Sequence, residues 1–138
     1  MSQENVEVVR RVYDAVARRD TAGVLSFYDP EVELVSFSGT LADHMGQRGV
    51  YRGHAGLRTF NRDLRDTFET IETSYEELID AGNHVVSVSR YRARGRESGA
   101  EVAGPLQFGV WTIREGKIVR QLWFATRTEA LEAAGLSE

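Results

Sequence analysis

The chain contains no cysteine, which excludes disulfides, thiolate nucleophiles and cysteine-based zinc sites, and removes the usual ground for reading a small domain as a secreted, cross-linked scaffold. The fold must rest on packing. Proline occurs twice and histidine three times, so imidazole for proton transfer near neutral pH is scarce. No apolar run approaches the roughly 20 residues that span a bilayer. Residues 1–7 are polar and acidic where a signal peptide needs a basic start and an apolar stretch. These absences predict a cytoplasmic protein with no membrane partner. Positive charge is short as well: 17 Lys and Arg stand against 21 Asp and Glu, a net charge of −4, so bulk electrostatics gives a nucleic-acid partner no support.

What is present fits one α+β domain, since 138 residues with 41% hydrophobic content are enough for a continuous core. Val6, Val9, Val12, Tyr13 and Val16 fall at helical spacing and predict an amphipathic helix over residues 3–19. Asp20 can cap a shorter helix over residues 21–28, which ends before Asp29-Pro30 because the residue ahead of a proline is pushed out of the helical region. Residues 31–38 read as a strand. Residues 39–53, with four glycines and scattered polar side chains, read as a long loop or flap.

Leu57, Phe60, Leu64 and Phe68 repeat at steps of three and four and predict a third helix over residues 54–68. After it the period drops to two. Residues 69–79, 84–95, 101–114 and 117–124 read as strands joined by short turns, an antiparallel meander. Thr126 with Glu129 is the reciprocal capping pattern of a last helix, and Gly135 suits its end. Arg90, Arg92, Arg94 and Arg96 share one face of a strand, either as a solvated stripe or as a stripe for an anionic ligand.

Five stretches of the chain carry a family likeness. They are Val12-Tyr13 with Asp20 closing the first helix, Phe27-Tyr28-Asp29-Pro30-Glu31-Val32 entering the first strand, Tyr51-Arg52-Gly53-His54-Ala55-Gly56-Leu57 opening the third helix, Trp111-Thr112-Ile113-Arg114-Glu115-Gly116-Lys117-Ile118-Val119 in the last hairpin, and the tail from Thr126 to Leu136. In this order the chain resembles the NTF2-like superfamily, specifically its SnoaL-like, polyketide cyclase-like branch, over nearly its whole length. The resemblance implies an α+β cone, a strongly bent and mostly antiparallel sheet wrapped around N-terminal helices and an apolar pocket. It also implies a homodimer paired through the exposed face of the sheet. The superfamily holds polyketide cyclases, ketosteroid isomerases, dehydratases, epoxide hydrolases and plain binding domains, so the fold does not choose the reaction.

The residues at the family's reactive positions are unusual. Where the isomerases carry a base on the first strand and a second acid on the penultimate strand, the approximate matches here are Val35 and Gly109. Where SnoaL-type cyclases carry an aspartate on the final strand, this chain has Trp123, whose indole only donates. A shift in alignment restores nothing, because no carboxylate occurs between Glu115 and Glu129. Of the histidines, His54 falls at the expected cap of the third helix, His84 at a strand edge, and His44 in the glycine-bearing loop, where it is the candidate proton carrier.

Alternation places Gln107, Gly109 and Trp111 on one face of a strand and Val119, Gln121 and Trp123 on the same face of its neighbour. The expected ligand-binding residues are Tyr28, Val35, Phe60, Gln107, Trp111, Gln121 and Trp123, lining a pocket for a small, mostly apolar, oxygenated molecule. Tyr13 fits the core stripe of the first helix. No HxH or HExxH spacing, glycine-rich phosphate loop or GxSxG elbow occurs, so no metal and no cofactor is expected. Two functions stay open: a cofactor-independent cyclase, isomerase, dehydratase or hydrolase with His44 moving the proton, or a non-catalytic ligand-binding or dimerisation module.

Overall fold

The computed structural model describes residues 2–37, 40, 43 and 50–136. In chain order the elements are α1 (Ser2–Ala17), α2 (Thr21–Ser26), β1 (Tyr28–Ser36), β2 (Val50–Arg52), α3 (Gly53–Thr67), β3 (Phe68–Ala81), β4 (His84–Gly95), β5 (Glu101–Ala103), β6 (Gln107–Arg114), β7 (Lys117–Phe124) and α4 (Arg127–Ala133). The strands form one sheet in the order β2-β1-β7-β6-β4-β3, with β5 beside β4. Every pairing is antiparallel except that of β1 with β7. The architecture is the α+β one anticipated, a curled, mostly antiparallel sheet against helices.

The sheet has two apolar faces. On the inner face Val9 and Val12 of α1, Leu25 of α2 and Leu57 of α3 pack with Val32, Leu34, Val85, Trp111, Ile113 and Ile118. Complete burial of an aliphatic side chain such as Ile118 or Val85 stabilises the fold by about 1.5–3 kcal/mol. On the outer face α4 lays Ala130, Leu131 and Ala134 over Val86, Val88, Phe108 and Val110. The bent sheet therefore does not stand bare on its convex side, and α4 covers part of the surface expected to pair two copies.

Several boundaries differ from the sequence reading, each for a reason of pairing. The second helix stops at Ser26 because the amide of Ile118 donates to the carbonyl of Phe27 at 2.9 Å, drawing Tyr28 into β1 opposite Ile118. β1 thus runs through Pro30. The register shift between Tyr28 and Glu33 absorbs the proline, which has no amide hydrogen to give to a ladder. The strand expected over residues 101–114 is two strands, since Gly104, Pro105 and Leu106 leave the ladder between the pairs Arg92↔Ala103 and Ser89↔Gln107. The short β2 falls inside the stretch read as a loop, paired with β1.

The cap of α3 is Arg52, not His54. The Nε2–H of His54 instead donates to the Tyr28 carbonyl at 2.9 Å, tying the start of the helix to β1. His84 is part-buried, with Nδ1 3.0 Å from Thr112 Oγ1. At α4 the amide of Glu129 donates to Thr126 Oγ1, and the threonine hydroxyl donates in turn to the Glu129 carboxylate. The arginine stripe is solvated and internally paired: Arg90 with Glu76, Arg94 with Glu101, and Arg96 donating to the carbonyls of Arg65 and Phe68. Exposed pairs of this kind contribute roughly 0–1 kcal/mol each.

Gly53 joins β2 to α3 at φ +67, and a Cβ there would lie 2.9 Å from the Pro30 carbonyl oxygen. Both the left-handed backbone and the close approach require glycine. Gly53→Ala should lower the unfolding free energy by about 1–3 kcal/mol, read as a lower urea midpoint at unchanged slope.

Candidate functional site

The inner face does not fill. Between α1, α2, α3 and the sheet lies a cavity of about 190 Å³, and its lining includes Tyr28, Phe60, Gln107, Trp111, Gln121 and Trp123. These are the residues anticipated for a pocket, apart from Val35. Val35 is absent from the lining, while its neighbours Leu34 and Ser36 belong to it, because side chains alternate along β1 and Val35 turns the other way. His44 lies outside the described residues. Asp43 is exposed and does not line the cavity.

The two indoles meet edge to face, with ring centroids 5.9 Å apart and planes at 73°. They come from facing strands, where Trp111 is paired with Gln121 and Gly109 with Trp123. A Cβ on Gly109 would sit 2.7 Å from Ser87 Oγ, 2.9 Å from Trp111 Nε1 and 3.0 Å from Trp123 Cζ3. Gly109 is thus the gap that lets both tryptophans close over the strand.

Buried polar groups along this face are satisfied in pairs. Ser87, with no exposed surface, accepts from Trp111 Nε1 at 2.8 Å and from the Tyr13 hydroxyl at 3.3 Å. The Tyr28 hydroxyl donates to Gln121 Oε1 at 2.5 Å. Burial holds both phenols neutral by raising their pKa. For Tyr28 the nearby Tyr13 adds to the rise; for Tyr13 the hydrogen bonds with Ser87 and Ser89 oppose it.

Tyr13, expected in the core stripe, also lines the cavity, as do Ser36, Asn61, Thr73 and Ser89, which the sequence reading does not single out. A signal was present for Ser89: Val85-Val86-Ser87-Val88-Ser89 sets small hydroxyls at alternate positions of an apolar strand. Among the described lining residues there is no carboxylate, imidazole, ammonium or guanidinium. Nor is there, among the described residues, a cluster of side chains arranged to hold a metal, or a helix long and apolar enough to cross a membrane.

Fold and lining together define a hollow NTF2-like cone. The SnoaL-like domain model matches residues 9–121, and the chain belongs to that family. Among solved structures it is similar to an NTF2-like protein of unknown function from Burkholderia pseudomallei, with 24% identity over 94% of this chain and 95% of the other and a TM-score of 0.78. It is also similar to TerC co-crystallized with polyporic acid, with 25% identity over 96% and 98% and a TM-score of 0.77. An NTF2-like protein from Burkholderia thailandensis shares 27% identity over 94% and 95%, with a TM-score of 0.76. No curated protein matches the chain.

The raised phenol pKa values fix the sign of an alkaline effect. The unfolded chain releases each phenolic proton near the ordinary value of about 10, while folded Tyr28 and Tyr13 still hold theirs. Their contribution to stability is complete below that pH and is lost above it as the pH rises toward the folded-state values. Urea titrations should show a stability that falls above pH 10 by about 1.4 kcal/mol per pH unit for each buried tyrosine. Tyr28→Phe should make that limb shallower by one tyrosine's share.

Proposed function

We propose that the cone binds a small, uncharged, mostly apolar molecule carrying oxygen, and that its described lining acts by holding this ligand. The observation that carries the reading is the combination of indole, phenyl and aliphatic walls with only hydroxyl and carboxamide polar groups. Pockets for small molecules are generally built in this way. Moving an ionised ligand into such a wall costs several kcal/mol when no opposite charge meets it. The co-crystallization of TerC with polyporic acid supports a small-molecule ligand. Proton-transfer catalysis as a cyclase, isomerase, dehydratase or hydrolase would require a group such as His44, because neither phenol gives up its proton near neutral pH.

The neutral compound 2-naphthol should raise the melting temperature by an amount growing with the logarithm of its concentration once that exceeds Kd, while 2-naphthoate at pH 7 should bind roughly a hundredfold more weakly. His44→Ala should leave the 2-naphthol affinity unchanged. Equal binding of the anion would reject the uncharged-ligand reading, and loss of binding in the histidine variant would place His44 in the site.

A cytoplasmic location and a homodimer belong to the same reading. The lack of cysteine suits a reducing compartment. Phe37 and Val50, among the exposed large apolar side chains of the described residues, lie just after β1 and in the edge strand β2. A symmetric pair should appear in light scattering as twice the chain mass; a single-chain mass at micromolar concentration would reject it.

A further inference from the structure

The bond between Tyr28 and Gln121 fixes the hydrogen-bonding character of the ligand, given the reading of the cavity as a binding site. Gln121 is 6% exposed, and its side chain both lines the cavity and accepts the Tyr28 hydroxyl at 2.5 Å. A separation that short suits O–H···O, whereas N–H···O bonds begin at about 2.7 Å. The carboxamide is therefore oriented with its oxygen on Tyr28 and its nitrogen turned away.

That nitrogen carries two hydrogens, and Gln121 makes no further hydrogen bond among the described residues. Nor is the nitrogen sealed in, because no fully buried side-chain nitrogen or oxygen lacks a partner. In a side chain so little exposed, the open space available to it is the cavity. Tyr28 has committed its proton, so the pair offers the ligand a donor, strengthened because the amide oxygen is already accepting. Trp111 and Trp123 stand beside it as flat apolar walls.

We infer that the ligand is a neutral ring compound bearing a carbonyl or equivalent acceptor oxygen, and that the Gln121 amide receives this oxygen. Tyr28 is then a positioning residue that holds the amide in orientation. A hydrocarbon of the same shape leaves the amide hydrogens unpaired against an apolar surface, which is the costly half of the hydrogen-bond balance.

The test compares 1-indanone with indane, using affinities taken from the concentration dependence of the melting temperature. The native chain should prefer the ketone by about tenfold. Gln121→Leu should bind indane as before and reduce the ratio to within about twofold, and Tyr28→Phe should give an intermediate ratio. Should Gln121→Leu not fold, Gln121→Met serves in its place: its thioether fills a similar volume but has no hydrogen to donate, so the ketone preference must vanish. A native ratio near one, or a ratio that survives in the Gln121 variants, overturns the acceptor assignment while the cavity reading stands. Failure of 1-indanone, indane and 2-naphthol alike to bind overturns both.

Discussion

One extra residue in β7 decides what the cone contains. The turn between β6 and β7 has both of its residues in the left-handed region, Glu115 at φ 52 and Gly116 at φ 77, the backbone that a two-residue hairpin requires. From that turn Arg114 pairs with Lys117 and Ile113 with Ile118, and the next pair is Thr112 with Arg120. Val119 is left over as a bulge. Ile118 therefore faces inward below it, and Gln121 and Trp123 face inward above it. Without the insertion, strict alternation from Ile118 would point Arg120 and Leu122 into the cavity and turn Gln121 and Trp123 outward.

Given that register, the uncharged lining follows from packing. The indoles of Trp111 and Trp123 occupy the space over Gly109, and the remaining polar atoms are short hydroxyls or carboxamides. Ser87 takes two donors at once, and Gln121 takes the proton of Tyr28. The described lining carries no carboxylate; its positions go to shape. The chain's described arginines are all exposed, and Arg120, adjacent to Gln121, forms an ion pair with Glu33 instead.

Much of this was legible locally. The apolar stripes of α1 and α3, the turns of the meander and the cap at Thr126 follow from short-range rules, and period-two alternation named most of the inward set. The same rule could have corrected Val35: Glu31-Val32-Glu33-Leu34 already alternates charged with apolar, so Val35 belongs to the outer side, and the family alignment led away from it. What escaped was set by partners distant in sequence. The parallel bond between β1 and β7 pulls Tyr28 out of a helix, the bulge at Val119 sends Ile118 inward in its place, and the departure of Gly104, Pro105 and Leu106 from the ladder depends on what β4 presents. No local pattern distinguishes a last helix that packs outside a sheet from one that packs within it.

The position of α4 has a consequence for the handling of the chain. Val86, Val88, Phe108 and Val110 are shielded by a seven-residue helix far too short to persist in water on its own. Were that helix peeled away or trimmed, four strand side chains of high β propensity would meet solvent together. The convex surface would become adhesive, and self-association into insoluble material would outrun any change in the hollow on the other side.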